Sequence, residues 1–585
     1  MTAALLVPVL LVAVVLLGVR RARGEDGDVP ADGHAVRRIF QYALLYGLAV
    51  VVAVGLAGLL GRLLGPATLA RSDEVALARD LAFTAVGGPL LAVVAMWSRR
   101  TIARDPGEGR SLGWPVYVTA ASLTALVMAV TGADSVLSWA LGLQAYSGLA
   151  PAQVVVWGGM WATHRWIDGR VTQPEHTCVH QLAGSLIGLV TGATGLGALL
   201  AGALRVLWGL DAGDMLHGGS DAILQGLVTA VTGAVVWWVY WLRNGSRFER
   251  EPLWHAYVLL AGVAGGVVTA IVAFSTLGYT GLVWVFGDPG VRVAAYHFAG
   301  APGRTAAVAV GLLVWWYHQA VLRRAGAGRR TEVTRVYEYL MSGVGLLAAV
   351  GGLTTVVAAL ADALAGATFA GGSTVNTLLA GVTLLAVGGP VWGLYWRRIQ
   401  AATDAAVAEE VASPTRRVYL SVLVGVGAVA TVVALVVAAY LLFTDIVRGG
   451  VGAETLRRMR YAIGVLLSAP SIAAYHWRVR RTGRGRAPAT TRTSGPSYVL
   501  LLGPADRATA QDVAHRTHGR VDAWTRTDDD GPAWTADDVM TALADHPADE
   551  VVVLAESGRL RAVPVRRRAD ADGAAPAPSA PSPAG

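Results

Sequence analysis

Residues 335–400 read RVYEYLMSGVGLLAAVGGLTTVVAALADALAGATFAGGSTVNTLLAGVTLLAVGGPVWGLYWRRIQ. Two long apolar arms flank the small-residue break AGGS at 370–373. Each arm supplies the roughly 20 apolar residues that cross a bilayer core, and each carries arginine at one end only. The stretch therefore reads as a transmembrane helical hairpin with both ends on the cytoplasmic side.

Variants of this hairpin recur along the chain. The first arms carry a landmark near their start, at Phe40, Tyr117, Val179, Tyr257, Tyr337 and Tyr419. Pro89, Pro390 and Pro470 share one slot in the second arms, after small residues and before an aromatic-then-arginine exit. A proline there either kinks the arm or begins its regular part, because it removes a backbone donor. Repetition of this kind marks tandem units. The reading gives hairpins over 38–110, 111–172, 173–250, 251–332, 333–412 and 413–482.

Composition agrees with the membrane class. The 585 residues are 54% hydrophobic and only 15% charged, which is too apolar for an ordinary soluble globule. The net charge of +8 is spread over arginine clusters between apolar runs, so it fits the positive-inside rule better than a nucleic-acid surface. No nucleic-acid partner is expected; the lipid bilayer is. The sequence contains no lysine, a bias in keeping with a GC-rich bacterial genome. Cys178 is the single cysteine, so an intramolecular disulfide and a two-thiolate zinc site are both excluded.

Upstream, residues 3–19 form a near-spanning apolar run followed by Arg20, Arg21 and Arg23, which reads as an anchor within 1–37 rather than a cleaved signal peptide. The expected architecture is an all-α polytopic membrane protein with about 13 transmembrane helices: the anchor plus six hairpins. Its N-terminus lies outside and its C-terminus inside the cell membrane. The last external turn runs against the rule, since it holds Arg448, Arg457, Arg458 and Arg460. Downstream of the hairpins, 483–496 reads as a linker and 569–585 as a disordered Ala/Pro/Ser tail. Between them, YVLLL, VDAWT, EVVVLA and RLRAVPV alternate with helical patterns and predict a small cytoplasmic α/β domain over 497–568.

The first-arm motif RVYEYLMSGVGLL and the returns VGGPVWGLYWRRIQ and APSIAAYHWRVRR resemble the bacterial membrane domain DUF5671, a family of unknown function. The resemblance implies tandem copies over most of 38–482 and carries no catalytic residue with it.

Few residues suggest chemistry. The exits are rich in Trp, Tyr and His, which an interfacial belt explains more simply than a ligand vestibule. His176 and His180 have the i, i+4 spacing of a metal or haem pair, but they follow Pro174 at a helix start where polar residues serve as caps. The candidate intramembrane or interfacial polar sites are Glu338, Asp362, Asp134 and His180, with Asp445 at another turn. In the terminal domain, GPADRATA offers one glycine and no Walker lysine, and Asp528–Asp530 reads as a solvated turn. No catalytic constellation and no cofactor are expected. The favoured role is a membrane scaffold or sensor that presents the α/β domain to a cytoplasmic protein partner, with a permease or channel as the alternative. A topology reporter fused after residue 485 is expected to be active only on the cytoplasmic side; periplasmic activity would shift the count by one span.

Overall fold

Apolar runs of this length fold as helices because hydrocarbon offers no partner for backbone amides and carbonyls, and a helix satisfies them internally. The computed structural model describes residues 33–486 and 496–565, apart from short segments at 67–73, 105–112, 172–173, 211–218, 246–251, 325–329, 367–372, 497, 518, 526–532, 545–549 and 557–558. The expected anchor, most of the linker and the C-terminal tail lie outside the described residues. Two compact units emerge, 1–478 and 479–585.

The first unit is helical throughout. In chain order its helices are α1 (Gly33–Leu64), α2 (Glu74–Ala85), α3 (Gly87–Arg104), α4 (Gly113–Ala140), α5 (Leu149–Val171), α6 (Pro174–Leu207) and α7 (Gly219–Trp237). A π-helical turn, π1 (Trp238–Leu242), ends α7. Next come α8 (Pro252–Ala256), the π-helical segment π2 (Tyr257–Ala264), α9 (Gly265–Phe286), the short α10 (Ala294–His297) and α11 (Ala301–Arg324). Then follow α12 (Glu332–Leu364), α13 (Thr374–Ala405), the six-residue α14 (Val407–Ala412), α15 (Pro414–Val447) and α16 (Ala453–Arg486), whose last turns pass the unit boundary after residue 478.

Ten spans among the described residues are long and apolar enough to cross a membrane. α2 with α3 counts as one of them, as do α8, π2 and α9 together. α5 and α16 are not among the ten. Sequence neighbours pack side by side: α4 on α5, α6 on α7, α9 on α11 and α12 on α13. Contacts also join more distant elements, including α1 with α5, α6 with α11 and α9 with α13.

Glycine sets how closely these helices approach. On the α12–α13 seam, a Cβ added at Gly352 would lie 2.7 Å from the Gly381 carbonyl oxygen, and one added at Gly381 would lie 2.8 Å from the Val356 amide nitrogen. Small residues therefore let two backbones touch, which gives apolar helices a packing gain that lipid does not supply. Pro89 follows the break between α2 and α3 and begins the regular part of its arm. Pro390 and Pro470 instead lie inside α13 and α16, neither of which is interrupted.

In the second unit, β1 (Tyr498–Leu502), α17 (Arg507–Thr517), β2 (Arg520–Trp524), α18 (Ala536–Leu543), β3 (Glu550–Glu556) and β4 (Arg559–Pro564) follow the order expected from the sequence. The sheet order is β2-β1-β3-β4; β1 pairs in parallel with both β2 and β3, and β4 runs antiparallel to β3. Val499 and Leu501 alternate into a core with Val513, Val539, Val551 and Val553. Thr535 and Asp538 form a capping box on α18. At the start of α17 the Thr509 amide donates to Asp506 at 2.7 Å, which holds that carboxyl below its ordinary range.

Gly381→Leu is expected to destabilise the helical unit by about 1–3 kcal/mol, the usual cost of overpacking. Gly351→Leu, where an added Cβ meets nothing within 4 Å, should change little. Thermal unfolding of the two purified variants in detergent compares them directly.

Candidate functional site

The aromatic exits divide into two populations. Trp238, Trp316 and Trp477 are more than half exposed, as belt residues facing lipid headgroups would be. Tyr240, Trp241 and Trp396 are buried, together with His164, His318 and His476. Here the belt reading covers only the outward set.

The inward set repeats a geometry. His164 on α5, His318 on α11 and His476 on α16 each bond through Nδ1 to the carbonyl four residues earlier, at 2.8, 2.8 and 2.9 Å. Because a carbonyl only accepts, Nδ1 carries the hydrogen and Nε2 is left as an acceptor. Each ring meets a landmark tyrosine edge-on: Tyr117 with His164, Tyr257 with His318, and Tyr419 with His476, with centroids 5.5, 5.8 and 6.0 Å apart. Tyr117 donates to His164 Nε2 at 2.9 Å. Among the described residues, Nε2 of His318 and of His476 has no partner. Indole donors tie neighbouring helices at the same level, Trp241 to Tyr317 at 2.9 Å and Trp396 to Tyr475 at 2.7 Å.

His180, near the start of α6, lies in a buried polar cluster. Its Nδ1 faces Asp168 Oδ2 on α5 at 3.0 Å, and its Nε2 faces Ser122 Oγ on α4 at 2.9 Å and the Tyr240 hydroxyl at 3.3 Å. Tyr240 in turn accepts from the Trp161 indole at 2.6 Å. The π1 turn that carries Tyr240 is anchored by Gln181, whose amide donates to the Tyr240 carbonyl. His180, Asp168 and Ser122 are all at most 3% exposed, and Asp168 Oδ1 has no hydrogen-bond partner among the described residues.

Both ring nitrogens of His180 are thus spent on protein groups, so the His176–His180 spacing does not present it to a metal; the His176 side chain lies outside the described residues. The order Ser–His–Asp matches that of a hydrolytic triad. Ser122, however, is fully enclosed within α4, whose amides serve the helix rather than a developing oxyanion. The cluster is enclosed between helices and does not present a nucleophile to a substrate.

Glu338 belongs to a second network, at the start of α12. It meets Arg330 at 2.5 Å. Glu410 on α14, 1% exposed, takes Arg335 at 2.8 Å and Arg330 at 3.2 Å. Glu332 accepts from the Ser413 hydroxyl at 2.7 Å and from the Thr415 amide at 3.2 Å, placing a carboxylate at the N-terminus of α15. Buried Arg416 donates to Thr403 at 2.7 Å and to the Tyr339 hydroxyl at 3.4 Å.

The other sequence candidates sit at the opposite helix ends. Asp134 on α4 accepts from Thr229 at 2.8 Å and Gln225 at 3.1 Å, both on α7. Asp362 accepts from Thr374 at 2.7 Å across its hairpin turn. Asp445 meets Arg458 at 2.7 Å, and Arg460 lies over the Tyr461 ring at 5.0 Å, so arginines of the discordant last turn have local partners. Buried Asp80, held by Arg79 at 2.8 Å, is a comparable group that the sequence did not single out.

Sequence reasoning found His180 and Glu338 and counted Tyr240 among the aromatic exits, but missed Asp168, Ser122, Glu410 and Arg335. Asp168 stands between Arg165 and Arg170 and reads as loop polarity. The Glu409–Glu410 pair inside an otherwise small apolar helix was the available signal for the second network.

With long apolar helices, arginine-bearing ends and internally paired charges, the chain is a polytopic helical membrane protein. It belongs to the family described as Domain of unknown function (DUF5671), whose model matches residues 38–163, 179–301 and 335–470. The three matches cover more than half of the chain and bear out the tandem repeats, with one refinement. Each match runs across two of the expected hairpins, and His164, His318 and His476 lie outside the matched segments. No curated protein and no solved structure matches the chain.

Glu410→Ala removes the most buried carboxylate facing Arg330 and Arg335, which keep Glu338 and Glu332, and is expected to cost about 1–3 kcal/mol of stability. Half-exposed Glu409→Ala should cost under about 1 kcal/mol. Chemical denaturation in detergent would show the difference.

Proposed function

We propose that this protein is a membrane scaffold or sensor whose helical unit holds the C-terminal α/β domain at the cytoplasmic face for a protein partner. In this reading all six hairpins span the bacterial cell membrane, α5 and α16 included, and the N-terminal segment adds a thirteenth span with its N-terminus outside. The observation that carries it is the way the interior is closed. Buried ionisable groups pair across helices, as in the Glu410–Arg335 and Asp168–His180 contacts, and glycines bring backbones into contact. Such an interior suits a body that transmits or holds a position.

One observation favours a permease or channel as the second reading. Asp134 with Thr229 and Gln225, and His180 with Asp168 and Ser122, lie toward opposite ends of the region where α4 meets α6 and α7. Leu126, Val236 and Tyr240 form an apolar cluster in the same region. Polar groups at both ends of one seam are what a pathway between repeats would need.

Deletion of 496–570 discriminates the two. The scaffold reading expects the truncated protein to reach the membrane and yet fail to complement a knockout strain. Full complementation by the truncated protein would overturn that reading and leave transport as the explanation.

A further inference from the structure

We propose that the cavity at the α4–α5 turn binds a neutral sugar ring. It encloses about 420 Å³, within the usual range for small-molecule sites, and its walls carry Ser135, Trp139, Gln144, Tyr146, Ser147 and Gln153. To the extent that such a ligand is what the helical unit would sense, the assignment rests on the sensor reading.

The turn is firmly built. Gly142, at φ +74°, donates its amide to the Trp139 carbonyl at 2.8 Å, and the Leu143 amide donates to the Ser138 carbonyl at 2.9 Å, the two bonds of a Schellman cap on α4. Gln144 donates to the Ser135 carbonyl at 2.5 Å, and the Tyr146 hydroxyl donates to the Leu64 carbonyl at 3.0 Å, which ties the turn back to α4 and to the end of α1. The Trp139 and Tyr146 rings are 4.8 Å apart at 59°, and Trp139 remains 44% exposed. Gly132 lets Gln153 come close, since a Cβ added there would lie 2.8 Å from the Gln153 Cβ. At 1.5 Å per residue the 28 residues of α4 extend about 42 Å, beyond a hydrocarbon core of about 30 Å, so the turn at its end stands among headgroups and water.

The chemistry of the walls selects the ligand. No charged residue occurs from Ser135 to Gln153. An amide side chain and a hydroxyl each both donate and accept, and the Gln153 amide has no hydrogen-bond partner among the described residues. Two amides and two hydroxyls beside an indole suit a ligand whose own polar groups do both and which also has an apolar face. A pyranose is such a ligand, with hydroxyls around its rim and C–H bonds to lay on the ring. A cation would also favour the rings, but the neighbouring carboxylate of Asp134 is taken up by Thr229 and Gln225. A phosphate calls for arginine, and these walls have none. Arg71 and Asp73, between α1 and α2, lie outside the described residues, and charged probes in the test account for them.

The full-length protein, purified without glycoside detergents and placed in phosphatidylglycerol nanodiscs, is titrated calorimetrically with glucose, galactose, mannose and N-acetylglucosamine, and with choline and glucuronate as charged probes. In parallel, native mass spectrometry of nanodiscs containing glucosyl diacylglycerol counts retained glycolipid. Saturable binding of a free sugar indicates a soluble source, and retention of the glycolipid alone indicates a headgroup; either supports the site. Trp139→Ala should weaken binding about tenfold and Gln153→Ala should weaken it less, whereas Leu137→Ala, exposed on α4 outside the cavity, should leave it unchanged. Trp139→Phe keeps an apolar ring and should retain most of the affinity, which separates loss of stacking from misfolding.

No binding of any of the four sugars or of the glycolipid by the wild-type protein overturns the proposal. Binding that both Trp139→Ala and Gln153→Ala leave unchanged also overturns it, by placing the sugar elsewhere. Binding of choline or glucuronate in place of the neutral sugars overturns it as well. If a sugar binds as expected while the 496–570 deletion still complements, the sugar site stands and the sensor reading falls.

Discussion

A polar side chain inside hydrocarbon has no water to turn to, so its partner has to come from its own backbone or from another helix. That constraint organises the helical unit. Ser122, His180 and Asp168 come from three helices, and the Glu332–Glu338–Glu410 network draws on α12, α14 and the connection to α15. Each such group fixes the rotation of its helix as well as its position, which apolar packing alone does loosely. Glycine contacts supply the closeness, and polar pairs supply the register.

The three family copies share a frame and differ in what they mount on it. In each, a buried histidine on the last helix bonds back to its own backbone and meets the landmark tyrosine of the preceding arm. The residue after the first landmark is polar in every copy: Gln41, His180 and Glu338. Its partner changes each time, from Ser98 to Asp168 to Arg330. Repetition thus preserved a socket, and divergence chose its occupant. Among the described residues, both π segments fall in copy 2.

Much of the fold was legible because its signals are one-dimensional. Spanning length, arginine at one end and a proline slot are all read along the chain, and so is the strand alternation of the terminal domain. What lay hidden depends on which way a helix faces. A membrane helix is apolar toward lipid and apolar toward its neighbours, so Trp238 and Trp241 look alike in sequence although one is exposed and the other buried. Asp168 was hidden for a related reason: a carboxylate among arginines at a helix end looks solvated until the helix from the next copy is laid beside it.

The π turn at Trp238–Leu242 has a consequence for how this protein could have come about. A wide turn accommodates one more residue than an α-turn does, and it absorbs an insertion without rotating the rest of the helix by the 100° that one residue would otherwise impose. Tyr240 sits inside that slack. Its hydroxyl reaches His180 while the helix before it keeps its seating against α6. A sequence change of this size can re-aim a single side chain in one copy while the packing inherited by all three stays in place, and a duplicated scaffold can acquire a new site that way without being rebuilt.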